Sequence, residues 1–218
     1  MKAMLKKLIM NRRRRQYDVS ILNDLKVLNI GAGITRLEFA TNIDISNRAD
    51  VTLNLGVDPL PFDSESVDFI YSDHTVEHVE NYLFLISEIH RVLKPGGLML
   101  LGVPYVTLTK YHLVNPYHLH NFNAYSFHFF DPTRLRDSAA EDGDVDLRMR
   151  SFHINYLGVF RFLPLIRVVA RKYLFNVARE IQFAIIKGST PLPFTRSISS
   201  NVNGYYSMIS SLRKKYEQ

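Results

Sequence analysis

The feature that most limits the fold of this 218-residue chain lies near its start. An apolar run at 26–30 (KVLNI) passes directly into a glycine turn, GAG at 31–33. A second strand-like run, 40–45 (ATNIDI), then brings Asp44 only eleven positions after Gly33. Consecutive parallel strands ordinarily need a crossover of about a dozen residues or more, usually with a helix inside it. The interval from Gly33 to Asp44 has no room for one. Further apolar runs at 51–55 (VTLNL), 67–72 (VDFIYS) and 98–103 (LMLLGV) read as strands, and 147–156 and 180–187 alternate like two more. Between the fourth and fifth runs, NYLFLISEIHRVLKPGG carries apolar residues at helical spacing, with Lys94 at its end and Pro95, Gly96 and Gly97 to stop it. Strands buried on both faces and separated by crossovers predict an α/β fold with a largely parallel sheet.

Hydrophobic residues make up 46% and charged residues 22%, which excludes a disordered or fibrous chain. The absence of cysteine excludes disulfides, thiolate metal sites and a cysteine nucleophile. The net charge of +6 is concentrated at residues 1–15 (MKAMLKKLIMNRRRR), which hold seven basic side chains and no acidic one. Such an arm suits a phosphate-rich partner, either an anionic membrane surface or a nucleic acid, and reads equally as a solvated tail. No run of eighteen apolar residues predicts a membrane-spanning helix.

Four strings carry a family likeness: LNIGAG after the first strand, NIDIS at the second, DPLPFDSESVDFIYSDHTVEHV at 58–79, and EIHRVLKPGGLMLLGVP at 88–104. In these the chain resembles class I S-adenosylmethionine-dependent methyltransferases, especially short glycan-modifying ones, from about Val27 to Pro104 and more weakly to Phe130. The resemblance implies a Rossmann-like, mostly parallel seven-stranded sheet with an antiparallel last strand, here with a shortened first crossover. The chain then divides into a basic arm (1–25), a methyltransferase domain (26–187) with a lid (104–135) and a basic amphipathic insertion (157–178) that reads as helical, and a C-terminal extension (188–218) whose prolines and serines predict an extended arm before a short polar helix. The resemblance also implies S-adenosylmethionine as cofactor. Gly31 and Gly33 would let backbone approach the ligand, Asp44 would accept hydrogen bonds from the ribose hydroxyls, and Asn54 and Leu55 would lie near the adenine. Asp73 and His74 would lie near the methionine moiety, and Glu77 and His78 match a recurrent Glu-His pair. Asn29 and Thr35 depart from the acidic residue and third glycine common in the family, which bears on how the cofactor's amino group is held. A dinucleotide needs a helix N-terminus for its pyrophosphate, whereas S-adenosylmethionine has no phosphate. The compressed connection therefore weighs against a nicotinamide enzyme.

Residues 104–132 are rich in histidine, tyrosine and asparagine, side chains suited to stacking on a sugar ring and fixing its hydroxyls. An imidazole near its ordinary pKa is a suitable base for a hydroxyl acceptor. The NPYH element makes His118 the first candidate and His120 the second, ahead of His112 and His74. The two histidines of HTVEH, without a third ligand, do not make a metal site, and none is expected. The sequence thus predicts O-methylation of a sugar, glycan or related small polar acceptor by a cytoplasmic enzyme. The segment 157–178 mixes bulky apolar and basic residues and suggests peripheral contact with an anionic membrane. A non-catalytic binding protein on the same fold is the alternative. Nucleic acid is a less favoured partner, because the Asn/Asp-Pro-Pro-aromatic tetrad of base amino-methylation is absent.

Overall fold

The computed structural model describes residues 20–134 and 144–215. Most of the basic arm (1–19) and the last lid residue, 135, lie outside them. Among the described residues nine strands form: β1 (Val27–Ile30), β2 (Thr35–Arg36), β3 (Thr41–Asp44), β4 (Val51–Thr52), β5 (Val67–Asp73), β6 (Leu93–Pro104), β7 (Leu147–Tyr156), β8 (Ala178–Lys187) and β9 (Lys214–Lys215). The helices are α1 (Tyr82–Val92), α2 (Pro164–Tyr173), α3 (Pro193–Ser200) and α4 (Val202–Ser211). Seven strands make one sheet in the order β4-β3-β1-β5-β6-β8-β7, in which β8 runs antiparallel to both neighbours. This is the anticipated mostly parallel α/β sheet with an antiparallel last strand.

Among the described residues, α1 is the one α-helix lying in a connection between neighbouring parallel strands, and it links β5 to β6. Asn81 caps it, its side-chain oxygen accepting from Phe84 N at 3.1 Å. Leu85, Ile86, Ile89 and Val92 of α1 pack on the sheet face presented by Ile70, Met99, Leu101 and Phe183. Neighbouring residues on the same strands, Phe69, Tyr71, Leu98, Leu100 and Ala184, point the other way, as the two-residue period of a strand requires. β1 joins β3 in parallel register, Leu28 opposite Thr41, without any crossover helix. Without such helices the second face is covered from the other end of the chain. Phe194, Ile198, Val202, Tyr205, Tyr206 and Ile209 of α3 and α4 fill it, and Leu22 and Leu37 complete the layer.

Two sequence-based expectations are corrected here. The extension 188–218 reads in sequence as an extended arm and a short polar helix, whereas two helices within residues 193–211 form a structural layer of the domain. Short polar residues masked its apolar stripe in the sequence. The boundary at residue 25 also moves, because Leu22 is fully buried in the same layer. The segment 157–178 is helical only over α2 and a short turn at Gly158–Arg161. Among the described residues no helix is long and apolar enough to cross a membrane.

If α3 is a structural layer, Ile198→Ala should behave as a core truncation. We expect a loss of about 2–5 kcal/mol, seen as a melting temperature lower by roughly 5–15 °C. Ile45→Ala, at a 71% exposed position, should stay within about 0.5 kcal/mol of the parent. An Ile198 variant as stable as the parent would make the extension an appendage.

Candidate functional site

β1 is buried along its length and ends in Gly31 and Gly33, both with positive φ (73° and 61°). Gly31 N and Ala32 N donate to Ile43 O at 2.8 and 3.0 Å, which ties the turn to the end of β3. A Cβ on Gly31 would fall 1.9 Å from Thr75 Oγ1, so this glycine is required by protein packing. A Cβ on Gly33 would meet nothing within 4 Å, so that residue leaves open space. Gly33 N donates to Asp44 Oδ2 at 2.9 Å and Ser46 N to Asp44 Oδ1 at 2.9 Å. Each carboxylate oxygen accepts one backbone bond and retains capacity for a ligand hydroxyl. Gly31, Gly33 and Asp44 line a cleft of about 410 Å³ together with Asn54, Leu55 and His74. Thr75, His78, Val79 and Glu80 also line it, as do apolar Ile45 and Leu53.

Two predicted cofactor residues lie elsewhere. Asn29 is 1% exposed, and its Nδ2 donates to Asn42 Oδ1 at 2.9 Å. It supports the interior because a buried amide must be paired. Asn42 is the hub of the short connection: its Oδ1 also accepts from Leu37 N at 2.8 Å, and its Nδ2 donates to Leu37 O, Ala40 O and Asp50 Oδ2. Asp73 opens onto a neighbouring recess of about 400 Å³, shared with His74, Asn155, Glu180 and Tyr206. Its carboxylate is held by the Tyr206 hydroxyl and the Arg213 guanidinium, both from the C-terminal segment. A carboxylate this enclosed needs such compensation. Arg213 also donates to Thr35 Oγ1 at 2.7 Å and Ala32 O at 3.2 Å, fastening the chain end to the glycine turn.

His74 stands between the two recesses with a left-handed φ of 52°. Its ring nitrogens donate to Glu77 Oε1 (3.2 Å) and Glu180 Oε2 (3.3 Å). Burial alone would lower its pKa, but these bonds and the charges of Glu77 and Asp73 prevail and raise it to about 10. His74 is an imidazolium at neutral pH and cannot serve as the base for which the sequence offered it. Glu180 is lowered, because the bonds from His74 and Gln182 outweigh the opposing effect of its burial.

The lid is fixed to the cleft wall through Glu77 O, which accepts from Leu119 N at 2.8 Å and His120 N at 3.3 Å. His120 donates Nε2–H to Val79 O at 2.7 Å and packs on Tyr82, which tethers the lid to the cleft wall at this ring. His118 contacts His78 edge to face, with ring centroids 4.6 Å apart, one ring behind the cleft lining. Asn121 Oδ1 accepts from His112 Nε2–H at 2.8 Å, so neutral His112 presents Nδ1 as an acceptor. His118 Nδ1–H donates to it at 2.8 Å, which leaves His118 Nε2 with a free lone pair. Burial lowers the His118 pKa. Among the described residues Glu77, His78 and His118 each place a ligand atom within 4.8 Å of the others. Glu77 Oε1 and His78 Nε2 are 4.0 Å apart, wider than the roughly 3.4 Å that tetrahedral zinc bonds of about 2.0–2.1 Å require. Glu77 Oε1 already accepts a hydrogen bond from the His74 ring at 3.2 Å.

Residues 30–101 match a family described as methyltransferase domain, from the end of β1 into β6. This is a class I methyltransferase fold. A structure of an S-adenosylmethionine-dependent methyltransferase from Archaeoglobus fulgidus aligns with TM-score 0.52 and 16% identity over 82% of this chain and 93% of that one. One from Mesorhizobium loti aligns with TM-score 0.50 and 13% identity over 81% and 96%. At such identity they speak for the fold. A demethylmenaquinone methyltransferase of Staphylococcus epidermidis is 45% identical over 40 residues, 18% of this chain and 17% of that protein. The site residues that sequence reasoning missed are Glu180, Tyr206 and Arg213. Glu180 alone carried a signal, the one carboxylate in a strand rich in apolar residues.

The raised pKa of His74 stabilises the fold fully below its unfolded value of 6.5, and this contribution fades as pH rises towards 10. Denaturant titrations of the parent and His74→Gln at about pH 6, 8 and 10 should show a stability gap that narrows with rising pH. A constant gap would mean that His74 is not charged by its carboxylates.

Proposed function

We propose that the protein transfers a methyl group from S-adenosylmethionine to an oxygen of a sugar, glycan or similar polar acceptor. The observation that carries this reading is the juxtaposition of Asp44 with open space beside Gly33 at the carboxyl ends of β1 and β3. Ligands of open α/β sheets bind at such ends. The residues present fit the cofactor: Asp44 keeps acceptor capacity for vicinal hydroxyls, and Ile45, Leu53 and Leu55 offer apolar surface to a base. S-adenosylmethionine supplies an electrophilic methyl on a sulfonium. The chain's own residues orient the acceptor and take its proton. Tyr111, Tyr117 and Tyr125 of the lid are exposed and suited to stacking on a sugar ring. His118 Nε2 receives the hydroxyl proton, and His112 and Asn121 hold that tautomer. Alignment supplies much of the remaining acceleration.

A second reading, a non-catalytic binding protein on the same fold, has one observation in its favour. Arg213 and Tyr206 occupy Asp73, the carboxylate that the family likeness assigned to the methionine moiety.

Calorimetry with S-adenosylhomocysteine decides between binding and its absence. Asp44→Ala should weaken binding at least tenfold, since hydrogen bonds to a charged group contribute about 1.5–3 kcal/mol each. Parent protein that fails to bind at millimolar ligand would remove the reading. With a methyl-labelled donor and a panel of sugars, His118→Ala should lower kcat by about 10²–10⁴ with cofactor affinity unchanged. Because His118 must be neutral and its pKa lies below 6.5, parent activity should be flat above that pH and fall on the acid side.

A further inference from the structure

Helix α2 is turned inside out. In a helix packed on a soluble domain the apolar stripe faces the protein. In α2 the buried residue is Ala170, and the half-buried ones beside it are Arg167 and Arg171. Arg167 lies over the Tyr156 ring at 4.7 Å and Arg171 donates to the Tyr156 hydroxyl at 3.3 Å. The aliphatic and aromatic side chains point to solvent. Leu165 is 85% exposed, Val169 59% and Tyr173 78%. Phe162 before the helix (81%) and Phe175 after it (62%) extend the same surface. So large an apolar patch on one element marks a surface that meets another phase or partner.

Charge identifies which. From Leu147 to Arg179 the chain has seven basic residues and no acidic one. Next to the apolar patch, Arg161, Arg167 and Arg179 line a recess of about 360 Å³ together with His153, Asn155 and Tyr156, and no carboxylate lines it. Arg161 is positioned by Nε donation to Tyr156 O at 2.9 Å, and Arg179 shares its charge with Glu180 at 3.7 Å. Guanidinium groups around a recess fit a phosphate, and an adjoining apolar surface fits acyl chains. We propose that this face docks on an anionic membrane, with Phe162, Leu165, Val169 and Phe175 entering the acyl boundary and a lipid headgroup phosphate held among the three arginines. Helices of this composition lie in the interface plane, and nearby basic residues add attraction to anionic lipid.

The test is co-sedimentation of the full chain with phosphatidylcholine vesicles, with and without phosphatidylglycerol. The parent should sediment with the anionic vesicles. The double variant Leu165→Glu, Val169→Glu changes only solvent-facing side chains, so its circular dichroism and melting temperature should match the parent while vesicle binding is lost. Arg161→Gln with Arg179→Gln should weaken binding to anionic vesicles by about tenfold to thirtyfold and leave any neutral binding unchanged. Three results would overturn the proposal. The parent could stay in the supernatant, the double glutamate variant could sediment like the parent, with the 1–15 segment alone as carrier, or the apolar face could prove to join copies of the chain. The last shows as a dimer mass by light scattering that the glutamates abolish, with no vesicle binding. Vesicle binding needs no methyl donor, so failure here leaves the methyl-transfer reading untouched.

Discussion

The rest of the structure depends on one geometric constraint: β1 and β3 run parallel across a connection too short to hold a helix. A parallel sheet is stable only with both faces covered. Here the missing crossover layer is replaced by α3 and α4, more than 150 residues downstream. The connection compensates internally as well. Asn42 satisfies the polar groups of Leu37 and Ala40 that a helix would have paired, and Leu37 enters the second core. A long-range closure of this kind raises contact order and couples the chain end to the cleft. The short β2–β9 ladder and Arg213 are that coupling in atomic terms.

The same closure decides what was legible in the sequence. β1, β3, β5, β6, β7 and β8 could be read because their burial follows strand periodicity or a continuous apolar run, and KPGG marks the passage from α1 into β6. Gly31, Gly33, Asp44, Asn54, Leu55 and His74 could be placed together because the topology brings strand ends to one edge. Asn29 and Asp73 fall outside the lining of that cleft, since their surroundings depend on Asn42 and Arg213, and no local pattern announces a partner 140 residues away. For the same reason the charge on His74 was unreadable. One of the two carboxylates that hold its ring, Glu180, comes from β8, 106 residues along the chain. The serine-rich helices α3 and α4 looked polar because their buried surface rests on a few large side chains, Phe194, Ile198, Tyr205, Tyr206 and Ile209.

His74 illustrates how local strain and electrostatics combine at the sheet edge. A non-glycine residue with φ of 52° is held in an uncommon backbone region, and its side chain is held by two carboxylates. Glu77 connects the parts: its side chain fixes His74 and its backbone carbonyl fixes the lid at Leu119 and His120. The wall between the cofactor cleft and the lid is therefore rigid, and the His112–His118 pair is presented from a fixed support.

Charge is segregated between the two sides of this edge in a way that bears on ligand class. The cleft at β1 and β3 is lined by Asp44 and Glu80, with no lysine or arginine among its lining residues, and the one cation there, His74, is matched by Glu77 and Glu180. A pyrophosphate in that cleft would find neither a guanidinium nor, with the crossover helix absent, a helix N-terminus. A ligand with vicinal hydroxyls, an apolar ring and a positive centre would meet each of its needs. On the far side, the arginine recess beside α2 has the opposite character and suits a phosphate. A cationic methyl donor and an anionic headgroup would thus be sorted to different ends of the same sheet edge by Coulomb interaction alone, before any shape complementarity acts.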